Sequence, residues 1–313
     1  VYHWNKFRPA STKTALQLFQ QATERDSNFA LAHAWLANAF ITLALGTGVD
    51  PEAPEQAFPK AKAAAARALQ LDNSLSDAQA SLGVVHFMYE RDWPAAELAF
   101  QSLKLLENTT TQPSIKYGLF KACSGKHDEG IQAVQEALEL DPVSLISNAH
   151  LAHQYYWARQ PEEAIEHYTR TLELNEIFPP ARVGLAWCLL QSDKVDAATK
   201  HFAIAARINQ RSSRVLASLG CAYATAGRIA DSTAIRDELV ERRESTDVYT
   251  SCHDIALLSA WLGDRQAALS WLEQGFKDRA SWISFLNVDP MWDALRDEPR
   301  FRKVVQDIGL VHS

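Results

Sequence analysis

Only four cysteines occur, Cys123, Cys188, Cys221 and Cys252, far apart and without a C-x-x-C pair. That pattern argues against a disulfide framework and against a zinc site, so buried free thiols are expected. No apolar run approaches the ~20 residues needed to cross a bilayer, and no signal peptide is visible. Basic residues are also short: 31 against 38 acidic ones, a formal charge of −7. The sign is wrong for tracking a phosphate backbone, so nucleic acid is not the expected partner. Neither a G-x-S-x-G elbow nor an H-E-x-x-H helix is present, and nothing else groups an acid, a base and a nucleophile. What the sequence does have is 47% hydrophobic and 22% charged residues over 313 positions, enough to bury a large core.

A large apolar residue followed by glycine or alanine recurs along the chain. The pairs are Leu36-Ala37, Leu82-Gly83, Tyr117-Gly118, Leu151-Ala152, Leu185-Ala186, Leu219-Gly220 and Ile255-Ala256. Their small members are spaced 46, 35, 34, 34, 34 and 36 residues apart, a 34-residue period with one 12-residue insertion. A second set follows at Ala61, Ala96, Gly130, Ala164, Ala198, Ser232 and Ala268. Small residues are needed where antiparallel helices cross closely, because a larger side chain would push the axes apart. Between the markers, apolar residues return every three or four positions, as at Ala164, Ile165, Tyr168 and Leu172, so each unit reads as two amphipathic helices. Gly125, Gly227 and Gly263 mark the turn between the two, and Asp141-Pro142 the turn after them.

The stretch 137–174, "ALELDPVSLISNAHLAHQYYWARQPEEAIEHYTRTLEL", resembles the tetratricopeptide-repeat (TPR) consensus. The resemblance implies an all-α superhelical solenoid of about sixteen helices, read here as a single domain over 1–313. Residues 1–29 form a truncated first repeat, 30–282 seven repeats and 283–313 a capping segment. The consensus proline survives only as Pro142, and the first unit carries the insertion 47–59, expected as an ordered loop or short extra turn. Phe301, Val304, Val305 and Ile308 form the apolar stripe expected to cover the last repeat. Because the first helix of the truncated unit would begin before Val1, the chain is expected to start inside a longer protein. The runs "VYHWNK" and "LNVDPMWDALRDEPRF" resemble the C-terminal TPR part of bacterial multidomain signalling and transcriptional regulators. A cytoplasmic location is expected, or a periplasmic one if a transmembrane helix precedes.

In such a stack the first helix of each pair lines a concave groove. The resemblance therefore places Asn38, Asp77, Gln112, His153, Tyr156, Trp187, Arg214, Cys221 and His253 on the groove, with Trp157 and Trp261 one place further, at the rim. The alternative role of Tyr156 and Trp187 is packing between repeats. The Lys and Asn clamp of chaperone-tail-binding TPR domains is missing, with Ala34, Asn38 and Ile115 at three of its places. His150, His153 and His167 are the nearest approach to a metal cluster, but His150 is expected on a packing face, so no metal or cofactor is expected. The stretch Gly118 to Lys126 has the wrong spacing for a phosphate loop. The function implied is a non-enzymatic interaction scaffold that binds a peptide or helix of a protein partner, or of its own parent protein. Arg214 would favour an acidic partner and Trp187 would anchor its apolar part. The alternatives are a small-molecule sensor or enzyme site on the same groove, and a spacer without a ligand.

Overall fold

The computed structural model describes residues 9–46, 51–103, 110–209, 211–245 and 249–310. Residues 1–6 of the opening run and 47–50 of the insertion lie outside them. Among the described residues there are sixteen α-helices and no strand. Helix α1 (Pro9–Arg25) packs on α2, and seven antiparallel pairs follow. They are α2 (Ala30–Leu45) with α3 (Pro54–Leu71), α4 (Ser76–Val85) with α5 (Trp93–Leu103), and α6 (Thr111–Cys123) with α7 (His127–Leu140). Next come α8 (Leu145–Trp157) with α9 (Pro161–Leu174), and α10 (Pro179–Gln191) with α11 (Val195–Ile208). The last are α12 (Ser213–Thr225) with α13 (Ile229–Ser245), and α14 (Cys252–Trp261) with α15 (Arg265–Lys277). The first helix of each pair also packs on the first helix of the next, so α2, α4, α6, α8, α10, α12 and α14 form one continuous inner wall.

Local chemistry explains the pairs. Helix α9 opens on Pro161 with Glu162 and Glu163 in its first turn, where a missing N–H costs nothing and negative charge meets the helix dipole. It buries Ala164, Tyr168 and Thr171, one stripe along one face. Helices α6 and α7 cross at Gly118 and Gly130: a Cβ on Gly118 would stand 2.8 Å from Val134 Cγ2 and 3.1 Å from the Gly130 carbonyl oxygen. The turn inside each pair is closed by a residue with positive φ. Gly125, Gly227 and Gly263 fill this place, as the sequence implies, but so do Arg91, Arg159 and Asp193, at φ of 58–63°. The turn geometry thus repeats even where the sequence supplies no glycine.

Two features differ from the sequence expectation. The insertion ends as helix, since Pro54 to Pro59 are the opening turns of α3. More consequentially, the C-terminal segment does not simply cap the last pair. Helix α16 (Pro299–Asp307) does pack on α15 with Phe301, Val304 and Val305 buried. Between α15 and α16, however, two 3₁₀ turns, Ser281–Phe285 and Pro290–Leu295, run across the inner wall and reach α2, α6 and the π-helical turn His86–Glu90 that ends α4.

Helix geometry supplies the acceptors for this return. The last four carbonyls of any helix lack intrahelical donors. At α2, Ser281 Oγ donates to Ala44 O (2.9 Å) and Trp282 Nε1 to Leu45 O (3.0 Å). At the end of α4, Ser284 Oγ donates to Phe87 O (3.4 Å) and Arg279 Nη1 to Tyr89 O (2.5 Å). In the other direction, Arg91 Nη2 donates to Phe276 O (2.7 Å) at the end of α15, and Trp93 Nε1 to Ile308 O (2.8 Å) at the end of α16. The aromatic core follows the same route. Phe285 stacks on Trp157 with centroids 4.6 Å apart and meets the edge of Phe87, which itself lies against Phe100 and Phe120.

Phe285→Ala is expected to cost about 3–5 kcal/mol, because the ring is 2% exposed and its loss opens a cavity between elements distant in sequence. Leu98→Ala, on a side chain 67% exposed, should stay within about 0.5 kcal/mol. Denaturant unfolding of both variants against the wild type checks the contrast.

Candidate functional site

Helix α8 carries His150, His153, Tyr156 and Trp157 on its inner side, α10 carries Val183 and Trp187, α12 carries Arg214, and α14 carries His253 and Trp261. Of these, Tyr156, Trp157, Arg214, His253 and Trp261 meet the returning segment. Trp157 is buried under Phe285, and its Nε1 donates to Asp289 Oδ2 (3.5 Å). The Tyr156 hydroxyl donates to Asp289 Oδ1 (3.5 Å) and accepts from Gln191 Nε2 (3.2 Å). His253 meets the edge of Trp292 (5.2 Å), and Trp261 Nε1 donates to Met291 O (3.2 Å). Arg214 lies over the ring of Trp282, its guanidinium carbon 3.6 Å from the ring centroid. Arg159, from the turn after α8, grips Asp293 with two parallel bonds of 2.6 and 2.8 Å.

Of the remaining sequence candidates, Cys221, Asn38 and Asp77 are buried elsewhere on the inner wall, and Gln112 is half-buried. Cys221 is enclosed, and burial pushes its thiol well up, which leaves it unreactive. Asn38 sits in a polar knot where Lys116 donates to its side-chain oxygen and Ser81 Oγ donates to the same oxygen (3.0 Å). Burial brings the Lys116 amine down to about 8, against the pull of Asp77. Asp77 accepts from Thr110 Oγ1 (2.9 Å), and Gln112 stands near the start of α6.

One part of the wall stays open. A cavity of about 170 Å³ lies between α8, α10, α12 and Trp282 and Met291 of the returning segment. Of the sequence candidates, His153, Tyr156, Trp187 and Arg214 line it. His150, Tyr168 and Asn209 line it too and were not among them. His150 stands three residues before His153, hence on the same helical face, a spacing that could have placed it. Tyr168 reaches the cavity from α9 only because position 184 is glycine: a Cβ there would lie 2.3 Å from its hydroxyl oxygen. His167, by contrast, stacks on Tyr155 away from the cavity, and among the described residues no three His, Cys, Asp or Glu side chains converge as a metal site. The stretch Gly118 to Lys126 is the end of α6 and its turn, not a loop after a strand.

Charge in this region is sparse and deeply set. Burial holds the Asp289 carboxyl above its ordinary range, opposed by the Met291 N–H, Arg214, His253 and Trp157. Burial lowers the Arg214 guanidinium, with Asp254 and Asp289 pulling the other way. It pushes His150 down to about 4 and His153 to about 3, the second helped by His150 and Arg214. Both imidazoles are therefore neutral at pH 7.

The tetratricopeptide repeat model matches residues 156–220. The transcriptional regulator HilA of Salmonella typhimurium is 27% identical over 138 residues, 44% of this chain and 24% of that protein, and HilA of Salmonella typhi matches to the same extent. The matched stretch thus spans about a quarter of the length of these relatives. Among solved structures, the APC/C hetero-tetramer Cut9-Hcn1 superposes with a TM-score of 0.59 at 13% identity, over 95% of this chain and 59% of that one. No helix among the described residues is long and apolar enough to cross a membrane.

The buried histidines set a direction for pH. Their folded values lie below the ordinary value near 6.5, so below that pH the unfolded chain binds more protons and stability falls as pH drops toward about 4 and then 3. The slope is at most about 1.4 kcal/mol per pH unit for each imidazole. Between pH 7 and 5 the melting temperature of the wild type is expected to decline, and that of a His150→Gln, His153→Gln double variant to decline less. Equal slopes would contradict the assignment.

Proposed function

Taking the chain as the tetratricopeptide-repeat solenoid that its helix pairs and its family match make it, we propose that it is a non-catalytic protein-interaction module. Its groove holds a short segment rich in aromatic and acidic residues, here its own residues 279–296, and a partner segment of similar chemistry competes for the same wall. The observation that carries the reading is the seating of the returning segment, with Trp282 on Arg214, Phe285 on Trp157 and Asp293 on Arg159. Aromatic anchors in desolvated places, with a charged pair at the rim, are the pattern that dominates interface energetics. TPR folds as a class mediate protein–protein contacts. The partial likeness to HilA supports placing the module as the regulatory part of a larger bacterial protein.

A fluorescent peptide of residues 279–296 tests this in trans. Wild type should bind it weakly, because the site is occupied in cis. Trp282→Ala, which weakens the internal segment, should bind it about tenfold more tightly or better, with affinity falling as salt screens the Arg159–Asp293 pair. Equal binding by both proteins, or none by either, would remove the groove as a peptide site.

A further inference from the structure

The 170 Å³ cavity that the returning segment leaves open has walls of two kinds. Most of its surface is apolar, from Met88, Leu119, Ile146, Val183 and Trp187, with Trp282 as one side. The residues lining it also carry polar atoms shielded from solvent and without a hydrogen-bond partner: His150 Nδ1, His153 Nε2, Tyr168 OH, Asn209 Oδ1 and Arg214 Nη1. Tyr168, at 1% exposure, and Asn209, at 9%, are themselves buried. A buried polar atom left without a partner is costly, because it gives up water and gains no bond in exchange. Five such atoms on residues around one cavity, from α8, α9, α12 and the loop before α12, point to a ligand that brings hydrogen-bonding groups of its own.

We propose that this cavity binds a small carboxylic acid with an apolar body, its carboxylate held by Arg214. Among the described residues no aspartate or glutamate lines the cavity, so an ammonium group would find no counter-charge there. Arg214 is the one cation among the described lining residues, and its Nη1 is free to donate because its guanidinium face is spent on Trp282. Asp254 and Asp289 act on it only through space, Asp289 using its oxygens on Met291, Tyr156 and Trp157. His150 and His153 each offer a neutral N–H when the tautomer places the proton on the unpartnered nitrogen. The size fits roughly six to ten non-hydrogen atoms, since a dry cavity of about 150 Å³ accepts benzene. Acid binding does not depend on the peptide reading, although Trp282 links the two sites and a bound acid would hold the segment in place.

Octanoate and phenylacetate are suitable probes, with 1-octanol and octylamine as the neutral and cationic counterparts. They are titrated calorimetrically into the full chain, with tryptophan fluorescence as a second signal because Trp187 and Trp282 line the site. The acids are expected to bind wild type about tenfold or more tightly than the alcohol or the amine, reflecting a hydrogen bond to a charged donor. Arg214→Gln should remove that advantage while the alcohol still binds, which also shows that the variant is folded. Val183→Phe, which fills the cavity, should weaken acid and alcohol together. The proposal is overturned if no acid binds at millimolar concentration, if acid and alcohol bind wild type equally, or if Arg214→Gln weakens both alike. Peptide binding in the preceding test can fail without altering any of these results.

Discussion

The stack of Phe285 on Trp157 is the contact on which the arrangement of this molecule depends. A solenoid normally joins each unit only to its neighbours, so its stability is a sum of local terms. Here one ring touches α8 and, through Phe87, the aromatic cluster of the second pair, while its chain neighbours Ser281 and Trp282 cap α2. Contacts 185 to 237 residues apart in sequence thereby tie the first two pairs to the last. The solenoid is closed across its inner face, and what would be an open groove becomes an interior that includes the 170 Å³ cavity.

Much of the repeat is legible in the sequence itself. A 34-residue spacing of small residues is a direct trace of helix crossings: Ala152, Ala186, Gly220 and Ala256 are all buried where the period puts them. The turns are only half legible. Glycine announces a left-handed residue, but Arg91, Arg159 and Asp193 adopt the same conformation without advertising it. Their positions follow only once the period is known, because packing of the flanking helices imposes a turn that the local sequence would not choose.

The returning segment is not legible, for a physical reason. Periodicity reports local structure, and a 3₁₀ strap held by contacts some two hundred residues away in sequence has no period to report. The one available sign is composition: residues 281–292 hold Trp282, Ile283, Phe285, Leu286, Val288, Met291 and Trp292 without helical spacing, more apolar surface than a solvent-facing cap can carry. The residues expected on the groove lie on the inner wall, and the returning segment covers part of it. Trp157, His253 and Trp261 face the chain's own segment, while His153, Tyr156, Trp187 and Arg214 reach the cavity beside it.

Residues 279–296 lie along the groove of their own chain, and hydrogen exchange over that segment reports directly on this seating. The amides of Ile283, Leu286, Val288 and Trp292 are bonded within the 3₁₀ turns and enclosed by the inner wall. Their exchange in the full chain is expected to be slowed to the level of helices α8 and α10, and to be released when Phe285 is changed to alanine. Exchange within seconds in the wild type, at the rate of an unstructured peptide, would contradict the account.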